Sequence, residues 1–129
     1  MILVDTHVVV WLALDPRLLS RKAVAAITDA RSSGGVAIAD VTLWELAMLA
    51  TRERIQLSTS LESFLREVEA RFIVLPLTGM IAKRSVQFTE RYPQDPMDRI
   101  IGATALIEGI PLVTKDEKIR HSKEVPSIW

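Results

Sequence analysis

Residues Met1–Leu14 read MILVDTHVVVWLAL, and the order of apolar and polar residues in this stretch decides the fold class. Ile2–Val4 is a short, continuous apolar run that stops at the charge of Asp5. A run of this kind reads as a strand buried on both faces. His7–Leu14 then reads as a helix that ends before Pro16, because proline disfavours helical geometry in the residue preceding it. Strand, acid and helix thus follow one another directly, which is the beginning of a β-α-β unit.

The pattern repeats outward from there. Val36–Ala39, Phe72–Leu75 and Leu112–Thr114 are further short apolar runs, and the tail VPSIW is a candidate fifth strand. Helical segments separate them. Ser20 is a predicted N-cap for a helix through about Ala30, broken by Gly34 and Gly35. Asp40 is the predicted cap for Val41–Glu53, and Ser60 for a helix with the apolar stripe Leu61, Phe64, Leu65 and Val68. Thr78 opens a helix predicted to carry Ile81, Val86 and Phe88; Tyr92–Pro96 is a turn; Pro96–Glu108 is a helix ending at Gly109. Strands alternating with helices imply right-handed crossovers. The expected fold is α/β: one domain over residues 1–129, with a central, mostly parallel sheet of four to five strands flanked by helices. Ligands of such sheets collect at the carboxyl ends of the strands.

Composition bounds the function. At 129 residues, 49% hydrophobic and 25% charged, the chain suits one soluble globular domain. It has no cysteine, which excludes disulfides, thiolate metal sites and a cysteine nucleophile, and its two histidines are too few for a histidine-rich zinc site. Sixteen basic and sixteen acidic residues give a formal net charge of +0, so binding to nucleic acid or anionic lipid by bulk charge is excluded and any such contact needs a local patch. The apolar start lacks a basic n-region and is interrupted by Asp5 and His7, so no export signal or membrane span is expected, and the cytoplasm is the expected location.

The strand-end rule draws attention to four acids. Asp5 follows the first strand, Glu45 lies early in the helix after the second, Asp98 lies in the first turn of the helix after the YPQDP turn, and Asp116 follows the fourth strand. Carboxylates held together repel one another unless a cation occupies the gap. Oxygen donors without thiols select Mg²⁺ or Mn²⁺, and the natural chemistry is metal-assisted hydrolysis of a phosphodiester. Each acid also has an ordinary reading: Asp5 and Asp116 as helix caps, Glu45 as a solvated helix residue, and Asp98 as the acidic partner of a capping sequence whose N-cap is Asp95.

The segments LVDTHVVVWL, VTLWELAM, DPMDRIIGATAL, LVTKDEKI and VPSIW, in this order from one end of the chain to the other, resemble the PIN-domain ribonucleases. More narrowly, they resemble the VapC-like toxins of bacterial toxin–antitoxin modules. The resemblance implies a Mg²⁺- or Mn²⁺-dependent endoribonuclease acting on RNA, with Asp5, Glu45, Asp98 and Asp116 as its metal-binding and catalytic acids. It places Thr6, Thr114 and Arg99 at positions bordering the site or the substrate, with Lys115 beside them. It also implies a cognate antitoxin protein as partner, and a homodimer. The chain departs from the family at Ala39, Gln94 and Met97, none of which removes a carboxylate.

Other features have two readings each. His7 reads better as a first-turn helix residue than as a neighbour of a metal. The cluster Lys115, Lys118, Arg120, His121 and Lys123 is either an RNA-backbone contact or a solvated surface, and Arg52 with Arg54 reads as ordinary surface charge. Trp11, Trp44 and Trp129 read as core or interface residues, and an aromatic content of 5% argues against a binder built on base stacking. A haloacid-dehalogenase-like phosphatase would want an acid where His7 stands, and a P-loop or Rossmann site a glycine-rich turn after the first strand. A receiver domain would want an acidic pair. The rival to the enzyme is a PIN-fold module without activity that binds RNA or protein.

Overall fold

In the computed structural model, which describes residues 1–129, five strands form one all-parallel sheet in the order β3-β2-β1-β4-β5. The chain runs β1 (Ile2–Val4), α1 (Thr6–Leu14), a 3₁₀ turn (Pro16–Leu18), α2 (Arg21–Ser32), β2 (Val36–Ala39), α3 (Val41–Thr51) and α4 (Leu61–Arg71). It continues with β3 (Ile73–Leu75), α5 (Gly79–Ser85), α6 (Pro96–Glu108), β4 (Leu112–Val113), α7 (Glu117–Ser122) and β5 (Ser127–Ile128). No helix is long and apolar enough to cross a membrane.

β1, β2 and β4 are wholly apolar because both faces of the sheet are covered there, and their period of two sorts side chains between two cores. Ile2, Val4, Val36, Ile38 and Val113 face one core with Val8, Val9, Ile27, Phe64 and Val68. Leu3, Ala37, Ala39 and Leu112 face the other with Ile81, Tyr92, Ile101 and Ile119. Sliding any strand by one residue would exchange these sets, so packing fixes the register.

Local chemistry sets most helix starts. Ser20, Ser60 and Thr78 accept hydrogen bonds from Ala23, Ser63 and Ile81 at 3.0, 3.1 and 3.2 Å, each the side-chain cap expected at that position. Helix α6 ends at Gly109, whose φ of +67° suits a residue without a Cβ.

Two expectations fail. Asp40 makes no cap bond; its backbone is already helical, and its carboxylate accepts the Leu77 N–H at 2.9 Å, tying the end of β2 to the loop beyond β3. The helix opened by Thr78 ends at Ser85, leaving Val86 78% exposed. Phe88 lies in the loop beyond, because its ring stacks on Tyr92 at 4.0 Å and its carbonyl is held by Arg99.

The strand order places the site. From β1 the sheet grows one way through β2 and β3, and the other way through β4 and β5. The crevice between the carboxyl ends of β1 and β4 is therefore a topological switch point, where open α/β sheets bind ligands.

Candidate active site

Asp5 and Asp116 stand on either side of that crevice, and Thr114 joins them. The Thr114 hydroxyl donates to Asp5 Oδ2 at 2.8 Å and accepts the Asp116 N–H at 3.1 Å. Asp5 Oδ1 accepts the Thr6 N–H at 2.9 Å, and Asp116 Oδ1 accepts the Ile119 N–H at 2.9 Å. Both acids thus do what the ordinary reading asked, serving as N-caps of α1 and α7, while standing at the switch point. His7 braces the same bank. Its Nε2 accepts the Lys115 N–H at 2.9 Å, which puts the ring proton on Nδ1, 3.7 Å from Asp5 Oδ2. Burial holds the His7 pKa below its usual value, with Asp5 and Asp116 acting against that shift.

The opposite bank is formed by α3 and α6. The Thr6 hydroxyl donates to Glu45 Oε1 at 2.6 Å, and the Thr42 hydroxyl lies 3.1 Å from Thr6 Oγ1, so two threonines link α1 to α3 beneath the glutamate. Burial, together with Asp5 and Asp95, raises the Glu45 pKa against the opposing effect of the Thr6 hydroxyl. Asp95 caps α6, accepting the Met97 N–H at 2.8 Å, with Pro96 at the first helical position where its missing N–H has no consequence. Asp98 falls in the first turn, and its carboxylate has no hydrogen-bond partner within the chain. Burial and then the negative charges of Asp5, Asp95, Glu45 and Asp116 push its pKa up to about 7. The four acids predicted to converge therefore do share one electrostatic field, to which Asp95 also belongs.

These residues fit a hard divalent cation by their chemistry. The donors are carboxylate and hydroxyl oxygens, and the one nearby imidazole has its acceptor nitrogen engaged by Lys115. No three His, Asp or Glu side chains are already drawn in around one point. A cation held partly through water, as Mg²⁺ commonly is, does not need them to be.

The residues expected at the border of the site divide. Thr6 and Thr114 hold acids directly. Lys115 contributes its N–H to His7 and lays its ammonium over the Trp11 ring, 5.5 Å from the centroid. Arg99, expected to border the site or the substrate, donates from its guanidinium to the carbonyls of Pro93, Phe88 and Thr89 at 2.8, 3.2 and 3.1 Å. It fixes the loop that leads into α6, because three backbone acceptors converge where a planar fork can reach them all.

His7 lies in the first turn of α1, as expected, yet also reaches the Lys115 N–H; sequence reading missed Thr42, for which composition holds no signal. It also missed Tyr92. That ring is fully buried, its hydroxyl donates to the Asp98 carbonyl at 3.0 Å, and it occupies the space a Cβ on Gly102 would need. The YPQDP motif with a glycine at 102 was the available sign.

Comparison with known proteins agrees with this geometry. The chain is 37% identical to Ribonuclease VapC22 of Mycobacterium tuberculosis, across 99% of this chain and 98% of that protein. Among solved structures, a toxin-antitoxin complex from Klebsiella pneumoniae matches with a TM-score of 0.64 at 25% identity, over 90% of this chain and 87% of that one. VapBC2 from Rickettsia felis, bound to a DNA fragment from its promoter, matches with a TM-score of 0.73 over 98% and 97%. At 16% identity, the second likeness is one of fold. Residues 2–124 match the PIN domain family, and with a relative 37% identical across nearly the whole chain, the chain belongs to that family.

Proposed function

We propose that this chain is a divalent-metal-dependent endoribonuclease, the toxin of a toxin–antitoxin pair, with residues 1–129 acting as one domain. The observation that carries the reading is Asp98, a carboxyl group without a hydrogen-bond partner, whose pKa is pushed up to about 7 by burial and by the charges of Asp5, Asp95, Glu45 and Asp116. Such an arrangement disfavours its own ionisation and is relieved by a cation. The full-length likeness to a protein named as a ribonuclease supports RNA as the substrate, and the likeness to a toxin-antitoxin complex supports a protein partner.

Asp5, Glu45, Asp98 and Asp116 would hold Mg²⁺ or Mn²⁺, directly or through water. When bound, the ion supplies charge stabilisation at the phosphate and a water acidic enough to attack it. The chain's own residues set the stage. Thr114 orients Asp5 and the backbone leading to Asp116, Thr6 orients Glu45, and His7 keeps the Lys115 segment against β1. Arg91, Lys118 and His121, with Glu117 and Ser122, line a concavity of ≈ 510 Å³ beside α7, where the basic side chains offer contacts to an RNA backbone approaching Asp116. An RNA substrate accords with a cytoplasmic location, and a homodimer accords with the family.

The test is cleavage of an RNA panel with Mg²⁺, with Mn²⁺ and with excess EDTA. Products should carry a 5′-phosphate and a 3′-hydroxyl, and chelation should stop the reaction. Undiminished cleavage in EDTA would refute the metal mechanism. RNA binding without cleavage in any metal would assign the chain to the inactive binding modules. Expression without the antitoxin should arrest bacterial growth, and co-expression should relieve it.

A further inference from the structure

Trp44, expected in the core or at an interface, is not in the core. It is 56% exposed, belongs to neither core and is paired with no other aromatic ring. Its neighbour in sequence is Glu45. Trp44, Glu45, Arg52, Arg54, Asp95 and Met97, with the apolar side chains of Met48 and Leu49, line one depression of ≈ 310 Å³ between α3 and the start of α6. Glu45 and Asp95, whose charges act on Asp98, thus belong to this depression as well. Neither Arg52 nor Arg54 has an ion-pair partner within the chain. Met97 supplies an apolar wall where the DPMDR motif enters its helix.

An exposed indole next to an acid-lined cleft, with two unpaired guanidinium groups on the outer side, has the chemistry of a nucleotide subsite. The ring face accepts a base, and the arginines accept the phosphate that follows it. A second copy of this chain would bury Trp44 equally well. Glu45 and Asp95 are already engaged by Thr6 and by the Met97 N–H, whereas Arg52 and Arg54 are not paired, so the charge left to a ligand is positive and favours RNA. Resting on the ribonuclease reading of the adjoining acids, we infer that Trp44 is the stacking platform for the base flanking the scissile phosphate, with Arg52 and Arg54 pairing the next phosphate outward. The site then selects single-stranded or looped RNA, since a base inside a duplex cannot leave its stack for the indole.

The experiment uses single-stranded oligoribonucleotides with the full-length protein and Mg²⁺. Trp44→Ala should raise KM by about ten- to a hundredfold, the range expected for loss of one base–aromatic stack, with the change in KM and not in kcat. Trp44→Phe should recover most of it. An abasic nucleotide at the flanking position should erase the difference between wild type and Trp44→Ala. The paired change Arg52→Ala with Arg54→Ala should flatten the salt dependence of KM. Binding is read separately, as quenching of intrinsic fluorescence by the oligoribonucleotide, and the quenching should vanish in Trp44→Phe. An active wild type whose KM and quenching are unmoved by substitution of Trp44 overturns the inference while leaving the ribonuclease reading intact. Conversion of a dimer to a monomer by Trp44→Ala, seen by sedimentation, assigns the ring to an interface between copies and also overturns it. A wild type without metal-dependent cleavage refutes the ribonuclease reading alone, and the fluorescence measurement then still decides whether RNA stacks on Trp44.

Discussion

On the β1–β4 bank of the cleft every acid is fastened: Asp5 by the Thr6 N–H and the Thr114 hydroxyl, Asp116 by the Ile119 N–H. On the α3–α6 bank, Glu45 has a single hydroxyl and Asp98 has no partner. Burial and neighbouring charge raise the pKa values of Glu45 and Asp98. One bank can therefore hold its shape without a ligand, whereas the other carries an electrostatic conflict that only a cation or a proton removes. Fully bonded acids and acids with raised pKa values thus fall on opposite sides of one crevice.

The sharpest way to break this contrast is at Asp98. Asp98→Asn should lower cleavage by more than about 100-fold, beyond what loss of a merely supporting contact costs a metal site. Its metal-free melting temperature at pH 8 should be equal to or above wild type, because a destabilising charge has gone. A clearly lower melting temperature would mean that Asp98 is a structural residue. On the fastened bank the signs differ. Thr114→Val removes a buried hydroxyl that serves two acids, and should destabilise the fold by about 1–3 kcal/mol in denaturant titrations. Activity should fall about 10–100-fold with it.

A smaller effect sharpens the comparison through pH. A carboxyl whose folded pKa lies above its unfolded value stabilises the fold while protonated, and that contribution fades as pH rises through the folded value. For Asp98 the window runs from 3.8 to about 7. His7 has the opposite sign: its pKa is lowered by burial, so its contribution is present at high pH and lost as pH falls below 6.5. The difference between wild type and Asp98→Asn isolates the aspartate. In metal-free melts that difference should widen against the wild type from about pH 5 to pH 8, and saturating Mg²⁺ should abolish it. A pH-independent difference would remove the conflict from the α3–α6 bank.

The smallest effect is expected at Asp95. It belongs to the acidic field but is exposed and engaged as a cap, so Asp95→Ala should cost about 1 kcal/mol of stability and keep most cleavage at saturating metal. A stable but inactive Asp95→Ala would exchange the roles of the two aspartates of DPMD.

What could be read from the sequence was what local chemistry decides. Ile2–Val4 reads as a buried strand because it is apolar on both faces, and Ser20, Ser60, Thr78 and Asp95 read as caps because a side-chain oxygen there has a nearby N–H to accept. The four acids were singled out from strand ends and from the family resemblance, and the charges of the other three act on Asp98. Features decided by distant partners were not legible. Asp40 fails as a cap because Leu77 claims its carboxylate, Phe88 leaves its helix because Tyr92 and Arg99 hold it, and Trp44 is exposed because no element covers α3 there. His7 reached the site only once β4 had brought Lys115 alongside it.

The fit between Tyr92 and Gly102 has a genetic consequence. The phenol hydroxyl that holds the Asp98 carbonyl fills the place of a Cβ at position 102, so even alanine there must displace the ring. The strand order, the caps and all four acids would survive the change. In a selection for bacteria that outlive expression of this protein, codon 102 should therefore recur among the survivors beside the codons of the acids themselves, marking an inactivating lesion that inspection of the charged residues alone would never single out.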